Sequence, residues 1–193
     1  MTEMKYTKQQ LKDMAKTERP WKYTLVHRWL KFLCDNKKDD FILDFGCGAR
    51  ATMPKLMRDE GYKWIVGHDI VFETTKRFQG KLEPDYPGQA PGFPGYSPSC
   101  KGTAWDFIVA SNVMNIQPTK EHIVSTLNTI KSLMDENTTV IVNYPMNPRK
   151  VPEVTSGIFK DIVEHTFLIT KYKNVSSLGR HGAISLIKPK GLS

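Results

Sequence analysis

Phe41-Ile42-Leu43-Asp44-Phe45-Gly46-Cys47-Gly48, FILDFGCG, is the stretch of this 193-residue chain whose reading decides the fold. An apolar run of this length, entered from Asp39-Asp40 and left through glycine, reads as a short buried strand. Gly46 and Gly48 permit a tight turn and a close approach of backbone to a ligand. Ala49 to Glu60 then reads as a helix with Met53, Leu56 and Met57 on one face, and Gly61 stands where a C-terminal cap belongs. Lys63 to Ile70 reads as a second strand. Strand, glycine turn, helix and strand in this order make a βαβ unit, whose crossover should be right-handed.

The same periodicities extend outward. Upstream, Lys8 to Ala15 carries a polar helical pattern, and Trp21 to Cys34 spaces its apolar residues on one helical face. Downstream, five prolines and five glycines crowd residues 80–102, and no regular helix and strand fit through them. A lid or shelf is expected there in place of a third β–α unit. Trp105 to Ser111 reads as a strand, Pro118 to Met134 as a helix, Thr138 to Tyr144 as a β-branched strand, and Gly157 to Glu164 as a helix. Thr166 to Tyr172 and Ala183 to Ile187, joined by a turn at 174–182, read as a terminal hairpin. The pattern predicts an α/β fold. It is a Rossmann-like, open, mostly parallel twisted sheet with helices on both faces, a Pro/Gly-rich loop for its third unit and a C-terminal antiparallel hairpin. Residues 1–37 read as a basic helical segment and 38–193 as the ligand-binding domain.

Composition narrows the function classes. Three cysteines, Cys34, Cys47 and Cys100, suit neither a disulfide framework nor a zinc site, and the five histidines form no metal-binding pair, so no metal is expected. No apolar run is long enough to span a bilayer, and the polar N-terminus does not resemble a secretory signal; a cytoplasmic protein without a membrane partner is expected. The net charge is +8, of which residues 1–38 carry +6 (ten Lys or Arg against four Asp or Glu). With Lys171, Lys173, Arg180, Lys188 and Lys190 near the tail, this favours DNA or RNA as a partner over a small molecule.

In an open sheet of this kind, ligands bind beyond the carboxyl ends of the strands, where strand order reverses. Asp44 ends the first strand, and a carboxylate there is costly unless donors meet it. Asp69 ends the second, 25 positions later, where a carboxylate can accept both hydroxyls of a ribose. Gly46-x-Gly48-x-x-Ala51 also satisfies the loose dinucleotide pattern G-x-G-x-x-G/A, so a nicotinamide-dependent oxidoreductase is an alternative. Asp44 weighs against it, because a carboxylate two residues before the first glycine puts like charge near a pyrophosphate. An ammonium and a sulfonium, as in S-adenosylmethionine, suit that acidic strand end.

FILDFGCG resembles motif I of the class I S-adenosylmethionine-dependent methyltransferases. Val66-Gly67-His68-Asp69-Ile70 is similar to the acidic end of their second strand, and Trp105 to Ile116, WDFIVASNVMNI, to their fourth strand and the loop after it. More narrowly, the arrangement resembles a group of small bacterial and bacteriophage proteins of that type. The resemblance covers residues 38–145 and implies S-adenosylmethionine as cofactor. It implies that Asp44, Gly46, Cys47 and Gly48 line the methionine part, with Phe45 among the cofactor-binding residues. Asp69 would take the ribose, His68 and Ile70 would flank the adenosine, and Ser111 and Asn112 would lie near the sulfonium and the acceptor. For an amine or amide acceptor, Asn112, Asn115 and Tyr144 are the residues that would orient it. Arg50 departs from the family pattern, standing where a small residue is common, and Ser111-Asn112-Val113-Met114 lacks the paired prolines of the amino-methylating motif. Those departures keep open a third reading, a methyltransferase fold used as a non-catalytic binding protein. Methyl transfer to an activated carbon needs mainly positioning and exclusion of water, so no strong acid–base constellation is required.

Overall fold

The computed structural model describes residues 6–15, 24–34, 37–48, 51–69, 104–167, 172–175 and 183–188. The order of elements is α1 (Lys8–Ala15), α2 (Leu25–Cys34), β1 (Phe41–Phe45), α3 (Thr52–Asp59), β2 (Trp64–His68), β3 (Phe107–Ala110), a 3-10 turn (Met114–Ile116), α4 (Lys120–Lys131), β4 (Thr139–Tyr144), α5 (Ser156–Phe167), β5 (Tyr172–Val175) and β6 (Ala183–Ile187). The strands form one sheet in the order β2-β1-β3-β4-β6-β5. The pairs β1–β2, β1–β3 and β3–β4 are parallel, and β6 runs antiparallel to both β4 and β5. The expected α/β sheet with its antiparallel C-terminal pair is therefore present. The Pro/Gly-rich 80–102 stretch lies outside the described residues.

Alternation along the strands divides the core between the two faces. Leu43 and Phe45 of β1, Ile108 and Ala110 of β3, and Val140, Val142 and Tyr144 of β4 pack against α4 and α5. Ile42, Val109 and Ile141 face the other way, onto Val26, Leu30 and Cys34 of α2 and Met57 of α3. Helix α2 thus shares a core with the strands that follow it. The side-chain period of two places Asp44 on the α2 face as well.

Helix boundaries follow from local chemistry. Helix α3 begins at Thr52, later than the sequence pattern suggests, because Ala51 is left-handed with φ +46°. It ends at a Schellman motif: Gly61, at φ +94°, donates its N–H to Arg58 O at 2.7 Å, and Tyr62 donates to Met57 O at 3.1 Å. The expected strand from Thr166 is corrected. Residues 166 and 167 belong to α5, since Phe159, Ile162, Val163, Thr166 and Phe167 continue one buried helical stripe. The strand is Tyr172–Val175, and Asn174, expected in the turn, pairs with Ser185.

Candidate functional site

The chain enters the sheet at β1, steps outward to β2, then returns past β1 to β3. Strand order therefore reverses between β1 and β3, where α/β sheets hold ligands. The glycine turn stands at this point. Gly46 and Gly48 have φ of +78° and +77°, a region that non-glycine residues enter only at a cost. Val113, from the loop after β3, lies against Gly46 so closely that a Cβ there would overlap its Cγ2 and approach its Cγ1 at 3.4 Å. On the other side, a Cβ on Gly67 of β2 would come within 2.8 Å of Cys47 Sγ. Glycine at these places reflects close packing of three chain segments as well as the turn.

The turn's amides are all in use. Gly46 and Cys47 donate their N–H groups to His68 O at 2.7 and 2.9 Å, and Gly48 donates to Asp69 Oδ2 at 2.9 Å. A pyrophosphate held on such a turn needs those N–H groups free. The residues present fit S-adenosylmethionine instead, which asks the turn for space and a nearby carboxylate rather than for amide donors. Asp69 supplies that carboxylate at the end of β2. His68 is buried, its ring 4.9 Å from Phe45, and burial depresses its pKa to about 3, so it presents a neutral ring beside the turn. Ile70 and Arg50 lie outside the described residues.

Asp44 is not directed to the turn's open side. It is only 1% exposed, and its Oδ2 lies 3.2 Å from Nε2 of His27, itself 1% exposed, on α2. Thr24 caps the N-terminus of α2, with Oγ1 2.7 Å from His27 Nδ1 and accepting the His27 N–H at 3.4 Å. Ser111, at the end of β3, donates its hydroxyl to Thr24 Oγ1 at 2.7 Å. The expectation that Asp44 meets a cationic ligand is thus answered by an internal partner, a buried imidazole. His27 and Thr24 were missed in the sequence, because their relation to Asp44 is tertiary. The local signal was a capping threonine three residues before a histidine.

The polar ends of β3 and β4 meet beside Ser111. Asn112 is exposed and left-handed, at φ +60°, which asparagine tolerates better than most residues. Its N–H donates to Asn143 Oδ1 at 2.6 Å, and Asn143 Nδ2 donates to Asn112 Oδ1 at 3.0 Å. In the sequence Asn143 stands out only as part of Asn143-Tyr144-Pro145-Met146, a faint echo of the amino-methylating motif that reads as chance. Ser111, Asn112 and Asn143 therefore gather next to the glycine turn. Asn115 sits in the 3-10 turn with its Oδ1 buried and unpaired. Tyr144 is placed apart from them. It is fully buried, its ring stacked on Phe159 at 4.3 Å on the α5 face, and burial pushes its hydroxyl up to about 12. In that position it does not reach an acceptor at the strand ends.

The N-terminal segment also arrives here. Tyr6 donates its hydroxyl to Gln117 Oε1 at 2.6 Å and its ring lies 4.9 Å from His122. Gln117 in turn donates to Val113 O at 3.0 Å, the residue packed on Gly46. Among the described residues no group of three His, Cys, Asp or Glu could hold a metal ion, and no helix is long and apolar enough to cross a membrane.

No curated protein sequence matches the chain. Solved structures match at the level of fold. A TehB-like S-adenosylmethionine-dependent methyltransferase from Corynebacterium glutamicum superposes with a TM-score of 0.52 at 16% identity, over 85% of this chain and 95% of that one. Magnesium protoporphyrin IX methyltransferase from Synechocystis, solved with S-adenosylhomocysteine, gives 0.54 at 14% identity over 93% of both chains. A chain of an RNA repair complex gives 0.54 at 16% identity, over 86% of this chain and 42% of that one. The profile of a family described as Methyltransferase domain matches residues 15–174. With its strand order, glycine turn and acidic β2 end, this chain belongs to that family, the class I S-adenosylmethionine-dependent methyltransferases.

Proposed function

We propose that the protein is a cytoplasmic enzyme that methylates nucleic acid from S-adenosylmethionine. The observation that carries the choice of acceptor is the Tyr6–Gln117 hydrogen bond. It ties the start of the basic N-terminal segment to the loop beside the glycine turn, and Lys8 and Lys12 of α1 follow with exposed side chains. Cations that follow directly on this anchor in the chain suit a polyanionic acceptor. Lys188 follows Ile187, which pairs with Val140 at the start of β4, and so lies at the end of the sheet away from the glycine turn. Two structural neighbours point in different directions, one acting on a porphyrin and one belonging to an RNA repair complex.

In this reading Gly46, Cys47 and Gly48 give room to the methionine portion, and Asp69 accepts the ribose hydroxyls. His68 and Phe45 are assigned to the adenosine side, and Ile70, outside the described residues, is assigned there on the resemblance alone. Ser111 and Asn112 face the reacting atoms, with Asn115 behind them. The cofactor supplies a methyl carbon already activated by a sulfonium. The protein's part is to hold the acceptor in line with that carbon and to keep water away.

Calorimetry with S-adenosylhomocysteine tests the cofactor site. Asp69→Ala removes a charge-assisted acceptor, a loss of about 1.5–3 kcal/mol, so affinity should fall roughly 10–100-fold. Undiminished binding would remove Asp69 from the site. Salt-dependent binding of single-stranded RNA, and transfer of labelled methyl groups to it, tests the acceptor.

A further inference from the structure

Four side chains form a continuous hydrogen-bonded file from the partly exposed strand ends into the interior: Ser111, Thr24, His27 and Asp44. The direction of each bond follows from Asp44, whose carboxylate only accepts. His27 Nε2, 3.2 Å from Asp44 Oδ2, therefore carries the proton of the neutral ring, and Nδ1 is the unprotonated nitrogen. Thr24 Oγ1, 2.7 Å from Nδ1, then donates to it. With its one proton committed, Thr24 Oγ1 accepts from Ser111 Oγ at 2.7 Å and from the His27 backbone N–H at 3.4 Å. Asp44 fixes this tautomer and stands ready to compensate an imidazolium.

A second copy of the cap sharpens the point. Thr119 caps α4 in the same way, accepting the His122 N–H at 3.4 Å with Oγ1 3.0 Å from His122 Nδ1. There Nε2 is buried with no partner, and burial lowers the His122 pKa. The capping function thus needs no carboxylate behind the histidine. The carboxylate at His27 and the serine in front of Thr24 are additions that capping does not explain.

We propose that Ser111, Thr24 and His27, backed by Asp44, form a relay that takes up the proton an acceptor sheds as it is methylated, so that the substrate is a neutral O–H or N–H group. This deepens the methyltransferase reading above and rests on it. A lone pair on the acceptor bonds to the methyl carbon while the S–C bonding pair stays on sulfur, which becomes neutral. The acceptor's proton passes to Ser111 Oγ, the Ser111 proton to Thr24 Oγ1, and the Thr24 proton to His27 Nδ1. The result is an imidazolium beside the Asp44 carboxylate, with no other reactant needed. An acceptor already anionic would leave the relay idle. Within nucleic acid, the class is therefore a sugar hydroxyl or an amino group of a base.

Nitrogen NMR of the full chain with labelled histidines, in the presence of S-adenosylhomocysteine, tests the relay. His27 should be the Nε2–H tautomer with a hydrogen-bonded Nδ1. Thr24→Val should move Nδ1 toward the resonance of a free imidazole nitrogen, Thr24→Ser should restore it, Ser111→Ala should leave the Thr24 bond to Nδ1 in place, and His122 should not move under Thr24→Val. A proton on Nδ1 in the wild type, or His27 resonances indifferent to Thr24→Val, would overturn the proposal. Turnover on unfractionated RNA gives a second reading. His27→Gln should lower kcat roughly 10²–10⁴-fold with KM and S-adenosylhomocysteine affinity unchanged, and an unchanged kcat would also overturn it. If the wild type leaves RNA unlabelled, the nucleic-acid reading fails and the nitrogen resonances alone decide the relay. If it does not bind S-adenosylhomocysteine, the cofactor reading fails separately.

Discussion

Gly46→Ala separates the two reasons for glycine at the turn. The first is conformational: at φ +78° an L-residue pays about 1–2 kcal/mol. The second is steric. The new methyl would overlap Val113 Cγ2, and Val113 is a buried member of the core on the α4 face, so it cannot swing into solvent. Overpacking of that kind costs about 1–3 kcal/mol. Together they give about 2–5 kcal/mol, or a fall in melting temperature of roughly 4–20 °C for a chain of this size. Urea unfolding of Gly46→Ala, Val113→Ala and the double variant resolves the sum. Val113→Ala alone should destabilise by about 2 kcal/mol through its lost methyls. The double variant should then be more stable than the two single losses predict, by about 1–3 kcal/mol, because the overlap is gone and only the dihedral cost remains. Strict additivity, or a Gly46→Ala protein as stable as the wild type, would refute the contact between this turn and the loop after β3.

Acid unfolding reports on His68. Its pKa is near 3 when folded and near 6.5 when unfolded, so between these values the unfolded chain binds the extra proton. Stability should be whole above about pH 6.5 and fall below it, by at most about 1.4 kcal/mol per pH unit; His68→Gln should flatten that limb in urea titrations between pH 7 and 4, and identical limbs would contradict the burial. Tyr6→Phe removes the donor to Gln117, a net loss of about 1 kcal/mol, and trypsin should then cut after Lys8 and Lys12 about fivefold faster at unchanged global stability. Thr119→Val removes the α4 cap and should lower the urea midpoint by an amount equivalent to about 1 kcal/mol; no change would mean that the cap bond is not formed in solution.

The glycine turn and its flanking strands were legible because an apolar run, two glycines and a returning β-branched run have few alternative structures. The strand of residues 107–110 and the helix after it were equally plain. The C-terminal hairpin was read with its first strand too early. Thr166 and Phe167 suit a strand by residue type, and only the buried stripe they share with Phe159 and Ile162 assigns them to the helix. The site was less legible than the fold. Asp44 drew attention for the right reason, a carboxylate that must find a donor, but its partner stands 17 residues earlier on a helix that packs across the sheet. Gln117 and Tyr6 were silent for the same reason. Polar contacts between elements leave no period in a sequence, whereas apolar faces do.

The three bonds from the glycine turn to the end of β2 have a thermodynamic consequence. They fasten the turn and the end of β2, the seats proposed for the methionine part and the ribose, into one piece before any ligand arrives. The ordering cost of that corner is incurred during folding, so little of the association free energy is spent on shaping it. Association with S-adenosylhomocysteine should accordingly show a heat-capacity change no larger than the surface the ligand itself covers. Whatever rearranges when a substrate docks must then be sought in segments that are not bonded to this corner.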